Sequence, residues 1–305
     1  MSYSILYWKR LNALTRKQMK KVRNFTLYIT LLILSYLFSV TPRRFSFILS
    51  RIIGTFFYYL LKKDREIALR NLALIFGRKE ENKALAKKAF QNAAFNLIDY
   101  IGSCREGRLK TILDHTRVKG LENIASLYNT NKGIIVVTAH LSTFEFIPLV
   151  VASKDYRVGV VGRKLFSEKL NRYLIKLRQR LGVVNVNSDD TRGLLKLLNS
   201  GYMVGILMDQ RSRGVHSIRG EFMGHPADIV TGPIKLAMKW KYPVVSISIR
   251  RNKDLNYTVE FGPPIEINPE QTLKENIQRV IDRLEKLILA NKEEWIWFHR
   301  RWDIG

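Results

Sequence analysis

A single cysteine in 305 residues, Cys104, excludes an internal disulfide and fits a reducing compartment. Its default role is that of a small buried or half-buried side chain. Acidic residues are scarce: 26 Asp and Glu stand against 52 Lys and Arg, a formal net charge of +26. That imbalance calls for anionic surroundings such as phosphorylated lipid, nucleic acid or an acidic protein. Histidines number only five, and none shares metal-ligand spacing with a cysteine. A G-x-S-x-G elbow and a glycine-rich phosphate loop are also missing, so hydrolase, nucleotide and zinc readings lose their usual supports. With no internal repeat and no Pro/Gly-rich linker, the chain reads as one catalytic domain with an N-terminal extension.

The extension departs from the rest. Lys9, Arg10, Arg16, Lys17, Lys20, Lys21 and Arg23 precede an uncharged stretch, Phe25 to Val40, close to the ~17–20 residues that cross a bilayer core. A second apolar stretch, Phe45 to Leu61, follows Pro42-Arg43-Arg44. No small-residue cleavage site separates the two, so the sequence predicts a retained membrane segment rather than a signal peptide. Basic residues on both sides of the first stretch leave its orientation open among a span, a hairpin and an interfacial helix. Residues 1–62 thus form a basic arm with membrane-attachment helices, and residues 63–305 the folded domain.

From Asp64 to about Gly102 the pattern is helical, with Ala84, Ala89, Phe90, Ala93, Ala94 and Leu97 near the spacing of one buried face. Beyond it, β-branched runs at 133–138, 157–161, 182–186, 202–208 and 243–249 alternate with helix candidates near 144–153, 167–181, 190–200 and 232–241. This predicts an α/β fold with a mixed, mainly parallel sheet flanked by helices. A hairpin-like pair, 243–249 with 256–261, makes part of the sheet antiparallel. The last helix carries Leu273, Ile277, Val280, Ile281, Leu284 and Leu287 as its packing stripe.

His140 stands just past the 133–138 strand, where ligands gather in open α/β sheets. A neutral imidazole there takes a proton from an attacking hydroxyl if a partner fixes its tautomer. Glu145, about one helical turn further, is the candidate partner. On spacing alone a His and a Glu five apart are a weak signal. Asp209 follows an apolar strand at the same sheet edge and is read as positioning a substrate or organising nearby arginines, against a strand-end cap or ion pair. His115, His216 and His225 read as surface or loop residues, and the tail with His299 as packing.

Taken in order, several segments resemble the late acyltransferases of lipid A biosynthesis, the lauroyl/myristoyl transferase family. They are the basic apolar N-terminus, Arg65-Glu-Ile-Ala-Leu-Arg-Asn-Leu72, His140 with Glu145 as an H-x-x-x-x-E motif, Asp209-Gln210, Phe222-Met-Gly-His-Pro-Ala227 with Thr231-Gly-Pro233, and Trp295-Ile-Trp-Phe-His-Arg-Arg-Trp302. The resemblance implies a glycerolipid-acyltransferase-like domain and an acyl carrier protein thioester as donor. The acceptor it implies is a hydroxyl of a phosphorylated lipid A precursor. His140 would be the general base and Glu145 its orienting partner, with Arg163, Arg178, Asp209 and Gln210 binding substrate. It implies no cofactor beyond the acyl carrier and no metal, and an inner-membrane location with the domain on the cytoplasmic side. Competing readings are acyl transfer to another phospho- or glycolipid, a membrane-surface protein without chemistry, and a nucleic-acid-binding protein. No helix-turn-helix, zinc module or aromatic RNA-binding signature supports the last of these.

Overall fold

The computed structural model describes residues 2–128, 130, 132–162, 168–211 and 216–302. Eleven helices and nine strands are described. The N-terminal layer consists of α1 (Ser2–Val40), α2 (Arg43–Leu60), α3 (Lys62–Phe76) and α4 (Glu81–Gly102), followed by α5 (Glu106–Asp114). The domain then runs β1 (Arg117–Lys119), α6 (Glu122–Tyr128), β2 (Ile134–Thr138), α7 (Ile147–Ala152), β3 (Val158–Gly162), α8 (Glu168–Gln179) and β4 (Val184–Asn187). It continues with α9 (Thr191–Asn199), β5 (Met203–Leu207), β6 (Ser217–Phe222), β7 (His225–Val230) and α10 (Gly232–Trp240). It closes with β8 (Val244–Arg251), β9 (Tyr257–Ile265) and α11 (Leu273–Ala290).

Seven strands form one sheet in the order β1-β9-β8-β2-β5-β3-β4, parallel except for the antiparallel β8–β9 pair. This is the mixed, mainly parallel α/β sheet expected from the alternating runs. Strand β2 is buried at every position because it is central and covered on both faces. The α11 stripe is seated as anticipated, with Ile277, Val280, Ile281 and Leu284 fully inside the core.

Two expectations are corrected. His225, read as a surface or loop residue, belongs to strand β7 of the hairpin β6–β7, where it pairs with Phe222. The hairpin's turn is Met223-Gly224, both at positive φ (51° and 74°), the geometry that suits the twist of a two-residue hairpin. The helical stretch after Asp64 is two helices broken at Gly77, and the buried face of α4 is Ala86, Ala89, Phe90, Phe95 and Ile98. Of the residues expected on that face, Ala89 and Phe90 are buried, Ala93 and Ala94 half-buried, and Ala84 and Leu97 exposed.

Helix α2 is packed with its small polar side inward. Ser46, Ser50, Gly54 and Tyr58 face the protein, while Phe45, Ile48, Ile52, Phe56 and Tyr59 are exposed. Gly54 permits the close contact with α4: an added Cβ would stand 2.4 Å from the Cα of Gln91. Along α1, Phe25, Ile29, Ile33, Leu37 and Val40 are also exposed, and Val22–Val40 is long and apolar enough to cross a membrane. A buried carboxylate fixes this layer to the sheet. Asp99 of α4 accepts from Arg43 (3.1 and 2.7 Å), Arg108 (2.8 Å) and the Tyr257 hydroxyl (2.7 Å). Arg108 also donates to the main-chain carbonyls of Phe38 and Thr41, closing the α1–α2 junction.

Candidate active site

Parallel register creates the site. Thr138 of β2 lies opposite Leu207 of β5, so two residues further along each strand His140 and Asp209 leave the sheet side by side. Asp209 is completely buried, and its Oδ1 is 2.9 Å from His140 Nδ1. Its Oδ2 accepts from the His140 main-chain N–H (2.9 Å) and from Trp295 Nε1 (2.7 Å). Burial alone would raise the pKa of this carboxyl. His140 and the Trp295 donor outweigh burial and hold it below the usual carboxylate range, so it stays ionised. An ionised Asp209 accepts from a protonated Nδ1, which leaves the lone pair on Nε2.

The turn beyond His140 is locked by the C-terminal tail. Ser142 adopts φ 50°, uncommon for a residue with a side chain, and its N–H donates to the carbonyl of Glu294. Leu141 pairs with Trp295 as an isolated bridge. Asn71 donates to the carbonyls of Trp297 and His299 (2.7 and 2.8 Å), and Trp302 Nε1 to that of Phe222 (3.1 Å). The aromatic tail is therefore more than packing, since one of its indoles holds the Asp209 carboxylate. His299 lies within electrostatic reach of His140. Burial first, and then His140, push its pKa below the ordinary histidine value. Arg301 is buried over the Phe222 ring and donates to the carbonyl of Asp228, and burial lowers its pKa to about 10.

Glu145 does not hold His140, and that expectation is corrected. It sits in a short 3-10 turn, Phe144–Phe146, and its carboxylate is paired with Arg178. Arg178 also donates to Asn185 Oδ1 at 2.7 Å. Although burial lowers the Arg178 pKa, Glu145 and Tyr100 together raise it above the ordinary arginine value, so the guanidinium remains charged. The 3-10 turn aims Glu145 at α8, whereas the place beside Nδ1 is already filled by Asp209. Gln210 follows Asp209 directly and is half-buried; Arg163 lies outside the described residues.

His140, Glu145 and Arg178 share one cavity of about 330 Å³. Its walls are apolar, with Val136, Val160, Met203, Ile247 and Phe261 among them, and the Phe144 ring stands edge-on to His140 at 4.8 Å. A concave apolar space with a few converging polar groups is the form taken by small-molecule sites. A base with a free Nε2, oriented by a buried carboxylate at a hydrocarbon-lined cavity, suits proton removal from a hydroxyl beside an apolar chain. Among the described residues no His/Cys/Asp/Glu group has the arrangement to hold a metal ion.

Comparison with known proteins agrees with this chemistry. The chain is similar to the lipid A biosynthesis lauroyltransferase of Escherichia coli strain K12, 25% identical over 251 residues covering 79% of each chain. It is 23% identical over 257 residues, 82% of each chain, to the palmitoleoyltransferase of the same strain and to a lipid A biosynthesis acyltransferase of Shigella flexneri. Residues 14–303 match the family described as bacterial lipid A biosynthesis acyltransferase, so the chain belongs to that family and is an acyltransferase.

Proposed function

We propose that the protein transfers a fatty acyl chain from an acyl carrier protein thioester to a hydroxyl of a lipid A precursor at the membrane, with His140 as general base. In this reading the acceptor hydroxyl gives its proton to Nε2 as its oxygen attacks the thioester carbonyl. The tetrahedral intermediate collapses with cleavage of the C–S bond, and the imidazolium returns the proton to the departing thiolate. Asp209 fixes the tautomer and stabilises the imidazolium, and Trp295 fixes Asp209. The single observation that carries the reading is the 2.9 Å contact between His140 Nδ1 and the buried Asp209 carboxylate at the wall of an apolar cavity.

The apolar walls suit the acyl chain. Arg178, held by Glu145, offers a fixed guanidinium for phosphate or carbonyl oxygens, and Arg163 and Gln210 complete the proposed substrate contacts. The strong positive charge suits both an acidic carrier and a phosphorylated acceptor. Attachment through residues 1–62 rests on α1, with its apolar Val22–Val40, and on the exposed apolar side of α2. A soluble carrier as donor places the domain on the cytoplasmic side of the inner membrane.

The test is turnover of the detergent-solubilised protein with acyl carrier thioesters of several chain lengths and a tetra-acylated lipid A precursor, read by mass spectrometry. One added acyl group on the precursor, lost in a folded His140→Ala variant, is the expected result. Full turnover by that variant, or no transfer from any carrier thioester, contradicts the reading.

A further inference from the structure

One face of the sheet makes the floor of the catalytic cavity. Val136 on β2, Gly205 on β5 and Val160 on β3 stand side by side in the parallel register, and all three line the space. Thr138 and Leu207 form the row nearer His140. Met203 and Val158 form the row beyond and still line the same cavity. Alternate residues of a strand face the same way, so at ~3.3 Å per residue successive rows lie about 7 Å apart. Helices α7 and α8 cover this floor with Ile147, Val151 and Ile175. Gly205 is therefore the one member of the middle row without a side chain, and it lies between the catalytic histidine and the Met203–Val158 row.

Neither backbone nor packing requires a glycine at this position. Gly205 lies in the regular backbone of β5 and is not one of the glycines at positive φ, so its conformation suits any residue. An added Cβ would stand 3.8 Å from the Gly159 carbonyl oxygen and 3.9 Å from a Val160 methyl, which are ordinary contact distances. Two other strand glycines differ. At Gly159 the Cβ would stand 2.7 Å from Leu197 Cδ1, and at Gly262 it would stand 2.3 Å from Ser246 Oγ, so neighbours dictate both. A glycine inside an interior strand weakens the sheet and packs nothing, and such a position marks close approach by something else. Gly205 is half-buried, whereas Val204 and Ile206, which face the other side of the sheet, are buried. The accessible surface at Gly205 belongs to the cavity. We propose that Gly205 sets the length of fatty acyl chain the enzyme accepts, by leaving the middle row open so that the end of the chain reaches Met203 and Val158. The inference rests on the acyl-transfer reading for the identity of the chain, and it deepens that reading by naming the residue that selects the substrate.

Each methylene kept out of an apolar space costs about fourfold in kcat/KM, and a row ~7 Å deep holds several of them. The detergent-solubilised full chain is given an equimolar mixture of acyl carrier thioesters of even length, from eight to sixteen carbons, with the lipid A precursor. Products are resolved by mass. Gly205→Val should raise the ratio of shorter-chain to longer-chain product by roughly tenfold or more relative to the parent. Val160→Ala widens the same row and should move the products toward longer chains. Gly205→Ala, whose Cβ meets only ordinary contacts, should move them toward shorter chains by a smaller step, and it takes the place of the valine variant should that one fail to fold. An unchanged length distribution in the folded Gly205 variant, or an equal loss at every length, would overturn the proposal. A second arm needs no turnover: saturated fatty acids of the same lengths compete with a fluorescent fatty acid for the parent and for the folded Gly205 variant. Long chains should lose affinity relative to short ones, by roughly tenfold or more with valine at the position; an unchanged ranking would overturn the proposal here too. A parent that transfers no acyl group yet shows this loss refutes the acyl-transfer reading and leaves chain selection at Gly205 standing. A parent that transfers, with variants that keep its length distribution, does the reverse.

Discussion

Replacing Asp209 by asparagine isolates the tautomer argument. The carboxylate Oδ2 faces two donors, the His140 main-chain N–H and Trp295 Nε1, while Oδ1 faces His140 Nδ1. An asparagine side chain has one acceptor oxygen and one NH₂ group. The two fixed donors retain the oxygen at the Oδ2 position, so the NH₂ group points at Nδ1 and requires Nδ1 to accept. The ring proton then moves to Nε2, where the base should have its lone pair. Flipping the amide restores the useful tautomer but leaves two buried N–H groups unpaired, at about 1–3 kcal/mol each. At about 1.4 kcal/mol per factor of ten, that ~2–6 kcal/mol alone costs roughly 30- to 10⁴-fold. Loss of the charge that stabilises the imidazolium adds to it, so kcat should fall by roughly 10³- to 10⁴-fold. KM should stay within about threefold, because Asp209 is completely buried with both oxygens taken by His140 and Trp295, and in this reading it acts through His140 rather than as the substrate contact the resemblance implied. Steady-state and single-turnover kinetics on carrier thioester and precursor measure both quantities. A folded Asp209→Asn protein with kcat within tenfold of the parent would refute the reasoning.

Trp295→Phe keeps the stacked ring but removes the 2.7 Å donor to Asp209; a hydrogen bond to a charged group is worth about 1.5–3 kcal/mol, so kcat should drop by roughly tenfold or more with KM little changed in the same assay. Glu145→Gln and Arg178→Lys should be strongly non-additive in a double-mutant cycle on kcat/KM, whereas Glu145→Gln and Asp209→Asn should combine near additively; the reverse pattern would make Glu145 the partner of His140. Asp99 gives a pH prediction. Burial raises its pKa, but Arg43 and Arg108 lower it further, so the folded value lies below the unfolded one. Its contribution is therefore present above about pH 4 and is lost as acid protonates it through the lower folded value. Urea midpoints between pH 7 and 3 should show an acid limb that Asp99→Asn flattens.

Much of the sheet was readable because its strands are short, β-branched and bounded by turns, as in Ile134–Thr138 and Met203–Leu207. The antiparallel β8–β9 pair showed in the same way. Hairpin β6–β7 was not readable, since Arg219, Glu221, Pro226 and Asp228 interrupt its apolar pattern on an exposed face. His140 and Asp209 were each visible as residues just beyond a buried strand. Their pairing was hidden because they are 69 residues apart and nothing local states that β2 and β5 are neighbours. Glu145 drew attention by proximity in the chain, yet a 3-10 turn sends it to Arg178. The Trp295 donor lies 86 residues from Asp209, and only a folded tail brings it there.

The most direct measurement is the protonation of the His140 ring by nitrogen-15 NMR on histidine-labelled protein, assigned by comparison with His140→Gln. The account predicts that the neutral ring carries its proton on Nδ1, held by Asp209, with Nε2 unprotonated, and that in Asp209→Asn the neutral ring carries it on Nε2. A ring already protonated on Nε2, or one that Asp209→Asn leaves unchanged, would contradict it.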